Sequence, residues 1–297
     1  MKITICVSGQ TRSWDGYPSK NLGYFVSQLE QLGHTVDVVA HTWSYRNEPF
    51  QYPSQDIVQF KKLVVDDQVV IEDWVKQDWN KRIVIDNEMT QFFDYSMEDQ
   101  EKSTKKLEYN NLSKDQINDM LAYTRSQIGQ HISGWKSFQL ADDDSDIYLR
   151  WRWDLIFSTV HAGVVEEDYK NNIDYWIAYL NDLFEYATKI NTGFHFCGEQ
   201  IHLESSSAVI VDDQYFIFTN NAKQKIDNIN IFNAIDTYAR DNEYDCKRGG
   251  YHFLWTYINI NMTREIGSSL FPNIARATYN DVRYLREIET SRSHFRK

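Results

Sequence analysis

The sequence predicts an α/β fold: a single domain over residues 1–297, with a mostly parallel central sheet and helices on both faces. Three observations predict it. A β-rich run at the amino terminus ends in a glycine turn, a helical stretch stopped by glycine follows, and a second β-rich run completes the pattern by residue 43. Strand, helix and strand at that spacing form a βαβ unit, whose strands are parallel and whose crossover is right-handed.

Residues 2–7 (KITICV), bounded by Ser8 and Gly9, read as a buried strand feeding a tight turn. Between 19 and 33, Leu22, Phe25, Val26, Leu29 and Leu32 recur at spacings of three and four, with Gly33 as the stop. TVDVVAHTW (35–43) is the second strand, and RIVID (82–86) a third that carries Asp86 to its tip. Residues 87–112 are polar and weakly periodic, an excursion from the domain rather than a second one. Residues 112–141 read as helix, with Ser113 as N-cap and Leu112, Ile117, Leu121, Ile128, Ile132, Trp135 and Leu140 as its apolar stripe.

DIYLRWRWDLIF (146–157) is the most β-like segment. Its period of two sets Tyr148, Arg150, Arg152 and Asp154 on one face and Ile147, Leu149, Trp151, Trp153 and Leu155 on the other. A helix near 172–190, strands at 207–213 and 215–220, helices around 221–240 and 250–262, and a charged tail complete the expected order. Only four prolines, and no linker or repeat, mark no domain boundary.

The net charge of −12 disfavours phosphate backbones and anionic lipid as partners, so neither nucleic acid nor a membrane surface is expected. Cys6, Cys197 and Cys246 are odd in number and far apart, which suits a reducing compartment better than a disulfide framework. Neither a signal-peptide apolar region nor a run of ~18 apolar residues is present, and a soluble cytoplasmic protein without a membrane span is expected. The sequons at Asn111 and Asn261 then carry no meaning.

In parallel sheets, ligands bind outside the carboxyl ends of the strands. That makes Ser8–Arg12, His41–Trp43 and the Arg150–Asp154 strand the segments of interest. Two cations and a carboxylate on one strand face need partners. Guanidinium groups grip phosphate oxygens in bidentate fashion, and a carboxylate holds a hard divalent ion. A nucleotide diphosphate with its cation meets the need; so does an internal Arg/Asp pair or a solvent-facing sheet. The SGQTR turn (8–12) offers backbone amides and Arg12 to a phosphate or base, but has neither GxGxxG nor GxxxxGK[ST] spacing.

Other chemistries fit poorly. An EF-hand register from Asp142 puts Ile147 where glycine is required and Trp153 where glutamate is required. His195 with Cys197, and His202 with Glu204, lack the companions a zinc site needs. No GxSxG elbow occurs. Trp43, Trp151 and Trp153 stand near the strand tips, where an aromatic ring can pack against a sugar.

A first strand running into SGQTR, a second ending in HTW and a later R-x-R-x-D strand together resemble small GT-A glycosyltransferases. The likeness is to the bacterial surface-polysaccharide, WavE-like kind, which also occurs in phages and large viruses, where the setting would be host cytoplasm. Arg125-Ser126-Gln127 matches an R-x-Q ahead of the strand, and Asp213-Gln214-Tyr215-Phe216 a D-Q-aromatic segment; coverage is patchy from residue 2 to about 220. The resemblance implies transfer of a sugar from a nucleotide-sugar donor to a glycan or other hydroxyl acceptor. It implies a donor pocket of Ser8, Gly9, Gln10, Arg12, Trp43, Arg125, Arg150 and Arg152, and a divalent metal (manganese or magnesium) on Asp154. The family's D-x-D is Arg152-Trp153-Asp154 here, so only the last acid is kept. Asp213, Glu199 and His252 are the catalytic candidates for acceptor contact or base. His252 stands in Gly249-Gly250-Tyr251-His252, where relatives often open a late helix with an acid. The rival readings are a Rossmann-like methyltransferase, which lacks its glycine-rich first loop here, and a non-catalytic carbohydrate-binding protein.

Overall fold

In the computed structural model, the residues described are 1–9, 17–50, 59–64, 80–86, 128–153, 155–157, 168–190, 194–195, 200–203, 206–209, 216–241, 254–258 and 282–284. The chain runs β1 (Lys2–Ser8), α1 (Tyr17–Gln31), β2 (Thr35–Trp43), β3 (Tyr45–Phe50), β4 (Gln59–Val64) and β5 (Asn80–Asp86). Helix α2 is described over 128–140. There follow β6 (Ile147–Arg152), β7 (Leu155–Phe157), α3 (Asp168–Ile190), β8 (Phe194–His195), β9 (Gln200–Leu203), β10 (Ser206–Val209) and β11 (Phe216–Thr219). Helices α4 (Asn220–Asp227), α5 (Ile231–Asp241) and α6 (Leu254–Tyr257) and strand β12 (Val282–Tyr284) complete the order.

The central sheet has the order β5-β2-β1-β6-β11-β8. The first four strands are mutually parallel, while β11 runs antiparallel to both β6 and β8. The class expected from the sequence is therefore found: α/β, with a mostly parallel sheet and helices on both faces.

The first βαβ unit lies where periodicity predicts it. Its helix ends because Gly33 adopts φ +83°. The Gly33 N–H donates to the Glu30 carbonyl (2.9 Å) and the His34 N–H to that of Leu29 (3.1 Å), a Schellman closure that only glycine makes without strain. Leu22, Phe25, Val26 and Leu29 of α1 join Leu180, Leu183, Phe184 and Ala187 of α3 against Ile3, Ile5, Val7, Val38, Leu149 and Trp151. At roughly 1.5–3 kcal/mol for each large apolar side chain removed from water, this layer supplies much of the driving force for the sheet. On the opposite face, α2, α4, α5 and α6 pack Ile128, Ile132, Phe138, Ile226, Ile235 and Trp255 against Cys6, Val39, Tyr148, Phe216 and Phe218.

Three expectations are corrected. The strand expected over 146–157 stops at Arg152, and β7 pairs instead with β12, outside the central sheet. The strand expected at 207–213 is described as β10, hairpinned with β9 away from that sheet. The helix expected over 221–240 is two, because Asn230 Oδ1 accepts from the N–H groups of Phe232 (3.0 Å) and Asn233 (3.2 Å) and so caps a new one. The β3–β4 pair has no counterpart in the sequence reading. The polar excursion at 87–112 and the start of the helix expected from 112 lie outside the described residues.

Candidate functional site

The carboxyl ends of β1, β2, β5 and β6 share one edge of the sheet. From β1 the chain steps outward on one side to β2 and β5, then returns to the other side of β1 as β6. The strand order thus reverses between β1 and β6, the kind of switch point outside which α/β sheets hold ligands. Register sets three predicted positions side by side there: Ser8 lies opposite His41 on β2 and opposite Arg152 on β6.

Alternation decides which face these residues use. Ile3, Ile5 and Val7 enter the α1/α3 layer, so Cys6 and Ser8 point the other way; Val38 and Ala40 do the same for Val39, His41 and Trp43. On β6, Leu149 and Trp151 enter the first layer, and Tyr148, Arg150 and Arg152 face α2. The charged face read from the sequence is real, and helix α2 lies across it.

A glycine and a serine let the helix come that close. A Cβ on Gly134 would sit 2.8 Å from Arg150 Nη1, so only glycine leaves room for the guanidinium. Arg150 has 0% exposure, and its Cζ lies 5.7 Å from the ring centroids of both Phe216 and Trp255. Those contacts make it a buried cation boxed by aromatic faces. Gly129 brings its carbonyl within 3.2 Å of the Trp43 Nε1–H donor.

Ser133 is the centre of a small polar network. Its Oγ accepts from the Gly9 N–H at 2.8 Å, lies 2.8 Å from His41 Nδ1, and donates to the His41 carbonyl at 3.2 Å. That carbonyl also accepts from Trp153 Nε1–H at 3.1 Å. The turn begins at Gly9 itself, whose φ of +105° disfavours any side chain and where an added Cβ would meet nothing within 4 Å.

Of the sequence candidates, Ser8, Gly9, Trp43, Arg150 and Arg152 are therefore brought to one edge and one face. Arg152 keeps partial exposure and donates to Gln130 Oε1 at 3.2 Å. The Ser8 hydroxyl is fully buried and has no hydrogen-bond partner among the described residues. Trp43, Trp151 and Trp153 are all buried, so none offers an open ring for a sugar to stack on. Gln10, Arg12, Arg125, Asp154, Glu199, Asp213 and His252 lie outside the described residues. Among the described residues, no group of three or more His, Cys, Asp and Glu side chains is placed to hold a metal ion. Nor is any helix among them long and apolar enough to cross a membrane.

The sequence reading placed His41 at a strand tip without giving it a role, and missed Gln130 and Ser133 as contributors. The available signal was Gly129, Ser133 and Gly134, small residues at spacings of four and five on one side of the helix expected over 112–141.

No protein-family model matches the chain, and no curated protein matches it in sequence. Among solved structures there is a weak likeness to the apo form of mouse xyloside xylosyltransferase 1. It covers 87% of this chain and 80% of that one, at 7% sequence identity and a TM-score of 0.34. A likeness of that size carries no weight for fold or function.

Proposed function

We propose that the chain is a nucleotide-sugar-dependent glycosyltransferase of GT-A type, whose donor pyrophosphate lies across the carboxyl ends of β1 and β6. The observation that carries the reading is the pairing of Ser8 with Arg152 at the switch point. A buried hydroxyl with no hydrogen-bond partner among the described residues, a lack that costs about 1–3 kcal/mol, stands in register beside an arginine that keeps partial exposure. A phosphate oxygen would accept from both. The order of the SGQTR, HTW and R-x-R-x-D segments, whose described residues Ser8, Trp43 and Arg152 stand at this edge, adds the family resemblance.

In this reading Arg152 takes up the charge that develops on the leaving diphosphate, a stabilisation strongest where water is excluded. Arg150 is buried beneath α2 and holds the helix and strand together, leaving the phosphate to Arg152. The Gly9 N–H is committed to Ser133, and Gln10 and Arg12, outside the described residues, are the further donors proposed from that segment. Arg125 would reach a phosphate, and Asp154 would hold a divalent metal if the donor brings one. The described tips of β1, β2 and β6 supply hydroxyl, indole and guanidinium groups, and β5 ends at Asp86 beside Trp43. Asp213, Glu199 and His252 are the proposed acceptor contacts, one of them taking the proton of the attacking hydroxyl of a glycan or other acceptor.

Calorimetric titration of UDP, GDP and a sugar-nucleotide panel, with and without manganese, tests this. Arg152→Ala should weaken binding about ten- to a hundredfold, the worth of one charge-assisted hydrogen bond. Asp154→Ala should weaken only the manganese-dependent part. Binding of S-adenosylmethionine with no nucleotide bound, or wild-type affinity in Arg152→Ala, would overturn the proposal.

A further inference from the structure

The network around Ser133 assigns a role to residues that no chemistry in the sequence singles out. A serine in mid-helix ordinarily bonds back to a carbonyl of its own helix, as Ser137 Oγ does to the Gly134 carbonyl at 2.7 Å. Ser133 is fully buried and reaches out of α2 instead, to the turn after β1 and to the end of β2. The carbonyl one turn behind it, that of Gly129, is taken by Trp43.

The capacity of a hydroxyl then limits the network. Ser133 Oγ has one proton and two lone pairs. The Gly9 N–H donates to it at 2.8 Å, which uses one lone pair. Its own proton goes to the His41 carbonyl at 3.2 Å, so the 2.8 Å approach of His41 Nδ1 is a hydrogen bond only if Nδ1 brings the proton. That arrangement satisfies all three contacts at once, whereas a proton on Nε2 alone would leave the His41 carbonyl to Trp153. With the protons so placed, the close Ser–His pair is not an activated nucleophile, because the hydroxyl is buried and its proton goes to the carbonyl rather than the imidazole.

We propose that Ser133 is a positioning residue for the donor pocket: it fixes the Gly9 turn and holds His41 as its Nδ1–H tautomer. This rests on the reading of the switch point as the donor site. The stakes for the turn are specific. Gly9 sits at φ +105°, where the backbone has few intrinsic reasons to stay, and its N–H is held from outside the turn by Ser133. Ser8, whose hydroxyl faces the proposed phosphate, immediately precedes it. Loss of Ser133 frees the turn while leaving every proposed phosphate contact chemically intact.

The test reads His41 and Gly9 directly. Long-range proton–nitrogen correlation spectra of the wild-type protein are expected to show His41 protonated at Nδ1, and amide exchange to show Gly9 protected. In Ser133→Ala the Gly9 amide should exchange at least tenfold faster, and UDP or GDP with manganese should bind about tenfold more weakly, the factor that one buried hydrogen bond supplies. Ser133→Thr, which keeps the hydroxyl, should restore most of the Gly9 protection. A wild-type His41 protonated at Nε2 alone overturns the proposal without any variant, which covers the case of Ser133→Ala failing to fold. A folded Ser133→Ala with wild-type Gly9 exchange and nucleotide affinity overturns it as well. If the wild type binds no nucleotide, the glycosyltransferase reading and the donor-pocket role of Ser133 fall together, while the His41 and Gly9 measurements still decide the hydrogen-bonding arrangement.

Discussion

Gly129 and Gly134 occupy the same helix, five residues apart, and substitution by alanine should move stability in opposite directions. Either replacement gains about 1 kcal/mol of helix propensity, because alanine loses less backbone entropy than glycine. At Gly129 the new Cβ would stand 3.7 Å from Trp43 Nε1, an ordinary contact, so the gain is kept. At Gly134 it would stand 2.8 Å from Arg150 Nη1, 3.1 Å from Cζ and 3.5 Å from Nη2. Carbon atoms pack comfortably at about 3.5–4.0 Å, so the guanidinium would have to retreat by roughly half an ångström or more.

A guanidinium at the end of a flexible side chain can usually do that at little cost. Arg150 is constrained by the rings of Phe216 and Trp255, each 5.7 Å from its Cζ, and by complete burial. Overpacking of this kind costs about 1–3 kcal/mol. Gly134→Ala should therefore be destabilised by up to about 2 kcal/mol after its propensity gain, and Gly129→Ala stabilised by up to about 1. The difference between the two, about 1–3 kcal/mol, isolates the contact, since propensity cancels. Urea unfolding of both variants with a common m-value measures it. In an Arg150→Met background the penalty at Gly134 should largely disappear, a double-mutant cycle on the contact itself. Equal stabilisation by both alanines would refute the claim that Arg150 is locked beneath α2.

Cys6 is fully buried, and burial pushes its thiol far above the ordinary range. It should resist iodoacetamide in the native protein and react only on unfolding, as peptide mass spectrometry would show. At the opposite edge of the sheet, the Lys2 ammonium donates to Asp144 and holds that carboxyl below its ordinary value of 3.8. A depressed carboxyl contributes stability that is present above 3.8 and is lost as pH falls through its lower folded value. Carbon-detected titration should find the Asp144 midpoint below 3.8 at low salt and returned to it in Lys2→Met; an unchanged midpoint in that variant would remove Lys2 as the cause. Lys223 has a buried amine that donates to Asp227 at 2.6 Å and Asp143 at 3.0 Å. Its carboxylate partners reach solvent, so Lys223→Met should cost about 1–2 kcal/mol by urea unfolding, well under the ~3–5 of a fully buried pair. A larger loss would mean that the two acids are trapped without their cation.

What was legible in the sequence follows from how local each signal is. The strand at 2–7, the helix closed by Gly33 and the strand at 35–43 are written in side-chain period and in one glycine's conformational freedom, both properties of adjacent residues. The two faces of β6 are equally local, and the structure separates Arg150 and Arg152 from Leu149 and Trp151 as the period of two requires. Whether the strand at 207–213 joins the central sheet is not local, since the same β-rich residues pair equally well in a peripheral hairpin. The break after Arg152 has the same origin: the pattern continues through Leu155, but β7 finds its partner in β12.

The candidate site divides along the same line. That Arg150 and Arg152 share a face is a statement about one strand, whereas their different exposure depends on what α2 lays over them. Gly134 and the rings of Phe216 and Trp255 close over Arg150, and Arg152, two residues nearer the strand end, stays part-exposed and donates to Gln130. From the sequence, that face fits a bound diphosphate, an internal Arg/Asp pair or solvent equally well, because a charge needs a partner or water. Here an aromatic box and a glycine replace water for the first arginine, and for the second the cover stops at the edge where ligands bind. The position of the helix, more than the motif, separates the two arginines into one that holds the fold and one that can hold a phosphate. Arg152→Met should lose nucleotide affinity with its fold intact, whereas Arg150→Met should lose stability before it loses affinity.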